Sequence, residues 1–209
     1  MEIVKIIFFV LIFFSIYSYA IYPVALMLLG IILRKKLSTN NSAPTVTLII
    51  SAFNEEDVIA KKIENSLLLD YPNGKFEIMV VSDHSTDNTD EIVKSYSKDG
   101  VVLLSQPVRR GKTAGLNNAV KEAKGDIIVF SDADSMYQED AIKKMVYYLG
   151  DPSVGLVTGS TQYAMEGSDG KMTATSSIYT RLERIIKSLE TRIGSCVGAD
   201  GAIFAMRKS

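Results

Sequence analysis

Short apolar stretches alternate with amphipathic segments from residue 45 to residue 209. The apolar stretches, which predict buried strands, are Thr45–Ser51, Phe76–Ser82, Val101–Ser105, Ile127–Ser131 and Val154–Ser160. Between them, apolar positions three or four residues apart predict helices at Glu55–Leu69, Thr89–Ser97, Thr113–Lys124, Gln138–Leu149 and Ser177–Ile193. Alternating strands and helices indicate an α/β fold with a mainly parallel sheet and right-handed crossovers.

The N-terminal segment is apolar and is followed by basic residues. No charged residue occurs from Ile6 to Leu33, and a helix of that length exceeds a hydrocarbon core of about 30 Å. A cleaved signal peptide is the alternative, but the apolar run continues well past Ala20. Because the Arg-Lys-Lys run at 34–36 outweighs Lys5, the positive-inside rule predicts an anchor whose following domain is cytoplasmic.

A polar stretch separates this anchor from the alternating segments. Pro23 is expected to kink or break the apolar helix, because proline lacks the N–H that continues it. The predicted organisation is a transmembrane anchor at 1–36, a linker at 37–44 and an α/β domain at 45–209.

Composition narrows the partners and metals. The chain has 209 residues, 47% apolar and 22% charged, which predicts a substantial core. Its 23 basic and 24 acidic residues give a net charge of −1, so no nucleic acid is expected as a partner. One cysteine, Cys196, and one histidine, His84, provide neither a disulfide framework nor a His-rich metal cage. A bound metal would rest on oxygen ligands, which favours Mg²⁺ or Mn²⁺.

Two aspartates, Asp132 and Asp134, follow the predicted strand Ile127–Ser131 with only Ala133 between them. Side chains two apart in an extended chain point the same way, so both carboxylates would face one spot. Because like charges repel, the pair predicts a shared cation. The structural alternative is that these residues form a turn or a helix cap.

Polar residues follow the other predicted strands as well. Asn54–Glu56 follow the first strand, Asp83–Asp87 the second and Arg109–Lys112 the third. Ligands in such sheets bind beyond the carboxyl ends of the strands, and carboxylates beside basic groups suit a nucleoside diphosphate with its metal. As alternatives, the two arginines would be solvated loop charges and Asp87 or Thr89 a helix cap.

The order of these motifs resembles a known family. The segments IISAFNEE, VVSDHSTDNT, RRGKTAGLNNAV, VFSDADS and GADGAIFAMRKS resemble, in order, the motifs of inverting family 2 glycosyltransferases with the GT-A fold, a Rossmann-like nucleotide-diphospho-sugar transferase fold. They are most similar to membrane-bound polysaccharide synthases of the poly-N-acetylglucosamine, hyaluronan and cellulose synthase type. The resemblance implies a hexosyltransferase that uses a nucleotide sugar, a UDP-sugar, with a divalent metal and a polysaccharide or lipid acceptor.

The resemblance also implies roles for individual residues. It implies that Ser51, Phe53 and Glu55 wall the nucleotide base and ribose, that Asp83 binds the uracil or ribose, and that Lys112 meets the diphosphate. It likewise implies that Asp132 lies near the ribose and the metal, and that Asp134 holds the metal against the diphosphate.

Three residues depart from the family pattern. Ser51 replaces a proline, Ser82 replaces the first aspartate of a pair, and His84 replaces a glycine. The last change is expected to stiffen its loop, because glycine alone takes positive φ freely.

A general base is not found among the motifs. The resemblance implies an acidic base and a Gln-Arg-Trp acceptor motif beyond the counterpart of FAMRKS, where this sequence ends. We therefore expect the catalytic base to be absent from this chain and to come from a longer chain or a second chain. Glu183 and Glu190 are expected on the solvated face of the amphipathic helix Ser177–Ile193, which packs on a core or lies in a membrane interface.

Other functions stay open at this point. They are a transferase that acts on polyprenyl phosphate, a non-catalytic nucleotide-binding fragment or subunit, and a nucleotidyltransferase. The sequence does not identify the sugar, the acceptor or the oligomeric state.

Overall fold

The computed structural model describes residues 1–33, 37–39, 42–160, 163–166, 172–175, 178–196, 198–199 and 201–208. The chain divides into two compact units. One unit comprises Met1–Lys36 and Gln162–Gly198, and the other comprises Leu37–Thr161 and Ala199–Ser209. The domain limits drawn from the sequence stay predictions.

Helices and strands alternate through most of the chain. The helices are α1 (Glu2–Ile16), α2 (Tyr22–Ile32), α3 (Ile59–Leu67), α4 (Thr89–Ser95), α5 (Lys112–Glu122), α6 (Ala141–Leu149) and α7 (Ile178–Ile193). A π-helical turn (Tyr17–Ile21) joins α1 to α2, and a 3₁₀ turn (Tyr96–Asp99) follows α4. The strands are β1 (Val46–Ala52), β2 (Phe76–Ser82), β3 (Val101–Ser105), β4 (Ile127–Asp132), β5 (Leu156–Thr158), β6 (Tyr163–Glu166), β7 (Met172–Thr175) and β8 (Ile203–Arg207).

The second unit is built on a six-stranded sheet in the order β3-β2-β1-β4-β8-β5. Strands β1 to β4 pair in parallel, whereas β8 is antiparallel to both β4 and β5. The prediction of an α/β fold with a mainly parallel sheet is therefore confirmed. In the other unit, β6 and β7 form a separate antiparallel pair.

Apolar side chains cover both faces of the sheet. Leu48 and Ile50 of β1 lie in a cluster with residues of α3, α4 and α6. Ile49, which points to the opposite face, packs in a second cluster with Ala119 of α5 and Phe130 of β4. Burial on both faces explains why these strands appear in the sequence as continuous apolar runs without polar alternation.

Some predicted boundaries need correction. The bounds of β2 and β3 match the prediction, but α3 begins at Ile59 rather than Glu55, and α6 at Ala141 rather than Gln138. Helix α5 ends at Glu122 rather than Lys124, before Gly125. A Cβ atom at Gly125 would lie 2.4 Å from the backbone N of Thr47, so glycine is required for close approach of the two backbones.

Among the residues that the structure describes, one helix is long and apolar enough to cross a membrane, Glu2–Ile32 of the first unit, with a mean hydropathy of 2.2 in its most apolar window. Pro23 does not end this helix. The π turn ends at Ile21, two residues before Pro23, and the helix continues as α2. The wider turn accommodates the hydrogen bond that proline cannot donate.

Helix α7 packs against α2 within the same unit. The Glu190 carboxylate accepts a 2.6 Å hydrogen bond from the Tyr22 hydroxyl and is 9% exposed, so its expected place on a solvated face is wrong. Glu183 forms a surface pair with Lys187 at 2.9 Å, as expected for a solvated residue.

Candidate active site

The parallel register brings the carboxyl ends of β1, β2 and β4 side by side. Ser51 of β1 lies opposite Val81 of β2 on one side and Asp132 of β4 on the other. A cleft of about 360 Å³ opens at this edge. Every site residue predicted from the sequence lines it, together with Arg109 and Gly111: Ser51, Phe53, Glu55, Asp83, Lys112, Asp132 and Asp134. The segments that carry these residues are far apart in the sequence, and the parallel pairing of the strands brings them together.

The paired aspartates face the same cleft although the strand ends at the first of them. Asp132 is the last residue of β4, Ala133 turns inward and is 2% exposed, and Asp134 is exposed. Asp132 forms an ion pair with the Lys112 ammonium group, whereas Asp134 accepts a 3.3 Å hydrogen bond from the Ser135 hydroxyl. Asp134 is therefore more open to a ligand.

A third carboxylate, Glu55, lies near this pair. Burial raises the pKa of Glu55, and the negative charges of Asp134, Asp87 and Asp132 raise it further. The part of this pKa shift that comes from the three aspartates shows that negative charges gather at this edge of the sheet. This edge of the sheet therefore favours a bound cation.

Asp83 shapes the basic loop that follows β3. Its two carboxylate oxygens accept hydrogen bonds from the backbone N–H groups of Arg110 at 2.9 Å and Gly111 at 2.8 Å. Gly111 has a φ of +84°, which a residue with a side chain would adopt only with strain. Asp83 is 7% exposed, so much of its hydrogen-bonding capacity is used within the protein. It stands between the cleft and the start of α5.

Arg109 was not singled out as a site residue by the sequence. Its guanidinium carbon lies 3.8 Å from the centroid of the Phe53 ring, and both residues line the cleft. Such stacking is a cation–π arrangement. The run of basic residues at 109–112 gave the signal, but only the fold shows which arginine meets the aromatic ring.

Positive φ angles occur in two loops beside the cleft. Asn54 has φ +54° and His84 has φ +62°. The Asn54 side-chain oxygen accepts the Thr86 N–H at 2.8 Å, and its own N–H donates to the Ser85 hydroxyl at 3.1 Å. His84 thus takes the conformation that the glycine of the family pattern would take freely. The loops after β1 and β2 support each other.

Asp87 is not the N-cap of α4, which is Asn88, but it has a structural role at that end of the helix. It accepts the N–H of Thr89 at 3.0 Å at the start of α4 and the N–H of Glu56 at 3.1 Å. Burial opposes ionisation, yet the hydrogen bonds from Thr89 and Glu56 hold the pKa of Asp87 below its usual range.

A buried lysine lies behind the paired aspartates. Lys62 of α3 is 0% exposed, and its ammonium group donates a hydrogen bond to the carbonyl of Ser135. Burial lowers the pKa of Lys62 to about 7, although Asp132 and Asp134 act in the opposite direction. The helical pattern of the sequence gave no signal for this residue, because a lysine in a surface helix is ordinarily solvated.

The donor set of the cleft fits a divalent cation only together with a ligand. In the described ranges, no group of three or more His, Cys, Asp or Glu side chains is arranged to hold a metal ion. Asp132 and Asp134 offer carboxylate oxygens, which suit Mg²⁺ or Mn²⁺, and these ions commonly complete their shells with water and phosphate oxygens. The residues therefore fit a metal that arrives with a diphosphate.

Acidic and basic groups gather at the carboxyl edge of a mainly parallel α/β sheet, which is the edge at which α/β proteins commonly bind their ligands. The family named glycosyl transferase family 2 matches residues 47–209. The chain belongs to this family, and its fold is the GT-A fold.

Two curated relatives cover parts of the chain. It is 37% identical over 120 residues to beta-monoglucosyldiacylglycerol synthase of Nostoc sp. (strain PCC 7120), a match that covers 56% of this chain and 26% of that protein. It is 30% identical over 167 residues to poly-beta-1,6-N-acetyl-D-glucosamine synthase of Staphylococcus aureus, covering 78% of this chain and 40% of that protein. The chain thus matches about a quarter to two fifths of the length of these relatives.

A solved structure covers most of the chain. It is the mannosyltransferase PcManGT of Pyrobaculum calidifontis in complex with GDP-Man and Mn²⁺. The TM-score is 0.74 at 25% identity, and the match covers 91% of this chain and 53% of that chain. Glucosyl-3-phosphoglycerate synthase of Mycobacterium tuberculosis shares the fold, with a TM-score of 0.52 at 23% identity over 79% of this chain and 57% of that chain.

Proposed function

We propose that the cleft binds a nucleotide sugar, a UDP-sugar, together with Mg²⁺ or Mn²⁺. The bound sugar is transferred to a growing polysaccharide or to a glycolipid. The observation that carries the proposal is the meeting of Asp132, Asp134, Lys112 and Asp83 around one cleft at the carboxyl edge of the sheet.

Each part of the cleft suits one part of the donor. Phe53 offers an aromatic face to the base, and Asp83, which also lines the cleft, accepts hydrogen bonds from the base or ribose. The Lys112 ammonium group can leave Asp132 and bind a diphosphate oxygen instead. Little free energy opposes this exchange, because the ion pair between Lys112 and Asp132 lies at the protein surface and such pairs are weak. Ser51 and Glu55 complete the wall on the β1 side.

Asp134 and Asp132 would hold the cation. A divalent cation between carboxylates and diphosphate supplies Lewis-acid stabilisation of the departing nucleoside diphosphate. The task of the protein residues is to bind and orient the donor, with Lys112 stabilising negative charge on the diphosphate.

The nature of the acceptor is supported by the relatives. One is named for a polysaccharide, poly-beta-1,6-N-acetyl-D-glucosamine, and the other for a diacylglycerol glycolipid. Both acceptors are compatible with a protein held at a membrane by the apolar helix Glu2–Ile32. We propose that this helix is an anchor and that the basic residues at 34–36 keep the nucleotide-binding unit in the cytoplasm, where nucleotide sugars are available to it.

Thermal unfolding of the detergent-solubilised chain tests the donor site. UDP at about 100 times its Kd should stabilise the protein by about 2.7 kcal/mol, or roughly 5–10 °C, when Mn²⁺ or Mg²⁺ is present. Excess EDTA should remove most of this shift. Equal stabilisation by UDP with and without EDTA would contradict the metal site, and no stabilisation by any nucleotide would contradict the donor site.

GDP provides the matched comparison. The similarity to a structure that contains GDP-Man favours a guanosine donor as the second candidate. A larger metal-dependent shift with GDP than with UDP would replace the uridine donor in the proposal and leave the metal site intact.

A further inference from the structure

Lys62 is buried where a charged side chain is costly. The two consecutive lysines of α3 differ completely, because Lys61 is exposed and Lys62 is 0% exposed. Among the described residues, the Lys62 ammonium group forms no ion pair within 4 Å. An apolar side chain of similar length would avoid the desolvation penalty. The contacts of Lys62 indicate what offsets this cost.

Those contacts all lie in the segment that follows Asp134. The Lys62 ammonium group donates to the carbonyl oxygen of Ser135, the next residue along, and lies 3.5 Å from the centroid of the Tyr137 ring. One charged group therefore contacts both the backbone and an aromatic side chain of Ala133–Tyr137.

A second residue of α3 holds the same segment. The Asn65 side-chain amide donates to the Tyr137 carbonyl at 3.0 Å, and its oxygen accepts the Tyr137 N–H at 2.8 Å. The Tyr137 hydroxyl contacts Ser131 of β4 and donates to the Ala202 carbonyl at 2.7 Å. The segment that carries Asp134 is thus fixed to α3 at one side and to the sheet at the other.

We infer that Lys62 is a positioning residue for the metal site. With Asn65 it fixes Ala133–Tyr137 to α3 and so holds the Asp134 carboxylate in the cleft, where it can meet a divalent cation that arrives with a nucleoside diphosphate. The inference rests on the proposed function and extends it to a residue that does not itself line the cleft for the cation and the nucleoside diphosphate. Groups that orient metal ligands typically change metal affinity by about 10- to 100-fold when removed.

Charge and positioning make opposite predictions for Lys62. A buried ammonium group close to the aspartates repels a divalent cation, so a lysine that acted by charge alone would weaken Mn²⁺ binding, and its removal would tighten it. A lysine that positions Asp134 strengthens Mn²⁺ binding, and its removal weakens it. The sign of the change therefore separates the two roles.

The test compares Lys62→Met with Lys61→Met in the full chain. Titration calorimetry would measure UDP affinity with Mn²⁺ and in EDTA, and hydrogen exchange would follow the amides of 133–137 without ligand. For Lys62→Met we expect Mn²⁺-dependent UDP affinity to fall about 10- to 100-fold. UDP affinity in EDTA should stay unchanged, and exchange at 133–137 should become faster. Lys61→Met should match the wild type in all three measurements.

Several outcomes would overturn the inference. These are unchanged or tighter Mn²⁺-dependent binding by Lys62→Met, unchanged exchange at 133–137, or an equal loss of UDP affinity with and without metal, which would indicate a general folding defect. If Lys62→Met does not fold, Asn65→Ala should give the same split between metal-dependent and metal-free binding. A wild-type chain that binds no nucleotide would instead refute the proposed function, while the exchange measurement would still report whether Lys62 holds the segment.

Discussion

Carboxylates at the two edges of the sheet have different hydrogen-bonding and electrostatic surroundings. At the amino edge, Asp126 accepts hydrogen bonds from the N–H and hydroxyl of Thr45 at 3.2 and 2.7 Å, and these bonds lower its pKa. Glu77 accepts the Thr47 hydroxyl at 2.7 Å and the Lys124 N–H at 3.1 Å. Burial opposes ionisation of Glu77, but these donors hold its pKa below the ordinary value.

At the carboxyl edge, burial and neighbouring negative charges raise the pKa of Glu55, and Asp134 is exposed in the cleft. The difference between the surroundings of these carboxylates distinguishes acids with a structural role from candidate functional acids in the same fold. A carboxylate whose oxygens are satisfied by backbone and hydroxyl donors stabilises the chain, whereas neighbouring carboxylates that repel one another are candidates for cation ligands.

Aspartate-to-asparagine substitutions at the two edges should have the largest effects, and the effects should be opposite. We expect Asp134→Asn to reduce UDP affinity in Mn²⁺ to the metal-free level, a loss of about 100-fold or ~2.7 kcal/mol. Its melting temperature should not fall, because a like-charge repulsion is relieved. Asp126→Asn should do the reverse, with a lower melting temperature and unchanged UDP affinity. Calorimetry and thermal unfolding of both variants provide the measurement, and similar behaviour of the two would contradict the division of roles.

Asp83 combines the two behaviours, because it lines the cleft and also accepts two backbone hydrogen bonds. We expect Asp83→Ala to weaken UDP binding about 10-fold even in EDTA, and to destabilise the protein by about 1–3 kcal/mol as the N–H groups lose their acceptor. Titration of UDP in EDTA measures the first effect and urea unfolding the second. Asp83→Asn keeps one acceptor oxygen and should lie between the wild type and the alanine variant.

Glu77→Gln should cost stability with a defined pH dependence. The folded-state pKa of Glu77 is lowered from 4.5, so its contribution is fully present above the unfolded-state pKa and is lost as pH falls through the folded-state value. We expect the variant to be about 1 kcal/mol less stable at pH 7. Wild type and variant should converge in the acid range below the ordinary glutamate pKa. A stability difference that grew on acidification would show that the charge of Glu77 is unfavourable in the fold.

The smallest effect is expected for His84→Gly in the loop after β2, and His84→Val is its comparison. His84 has positive φ, so His84→Gly should gain relief of strain and lose chain entropy in similar amounts, with a net change below about 0.5 kcal/mol. His84→Val should destabilise by about 1–2 kcal/mol, because a β-branched residue does not tolerate this conformation. Thermal unfolding of the pair distinguishes backbone strain from a side-chain role. Equal losses in both variants would indicate that the imidazole itself makes a stabilising contact.

Strands β1, β2 and β4 were predictable because they are buried on both faces and therefore stand out as apolar runs. Strand β8, which lies between β4 and β5 in the sheet, was not predicted. The first turn of the helix predicted at Glu55–Leu69 was not predictable for a physical reason. The N–H of Glu55 donates to the Thr89 hydroxyl at 2.9 Å and that of Glu56 to Asp87 at 3.1 Å. These bonds join residues more than thirty positions apart, and local periodicity carries no information about them.

The candidate site shows the same division. The acids and Lys112 that line the cleft were predicted because strand ends and family motifs mark them in the sequence. Lys62 was missed, since a pattern of polar and apolar residues places every lysine on the solvent side of a helix. Leu67 of α3 is apolar and yet 41% exposed, while Lys62 of the same helix occupies a buried position. Burial of a charge is a property of the folded packing and not of the residue type.

The π turn at Tyr17–Ile21 determines how the buried face of α2 is rotated about the helix axis relative to α1. Successive residues of a regular α-helix are rotated by about 100°, and a π turn inserts one extra residue into that rotation. Helix α1 buries none of its side chains in the protein, whereas α2 buries Pro23, Leu26 and Gly30. Removing one residue from the turn would leave the apolar character of the helix intact and yet rotate the buried face of α2 by about 100° relative to α1. The orientation of this face is thus set by a count of residues, which hydropathy does not register.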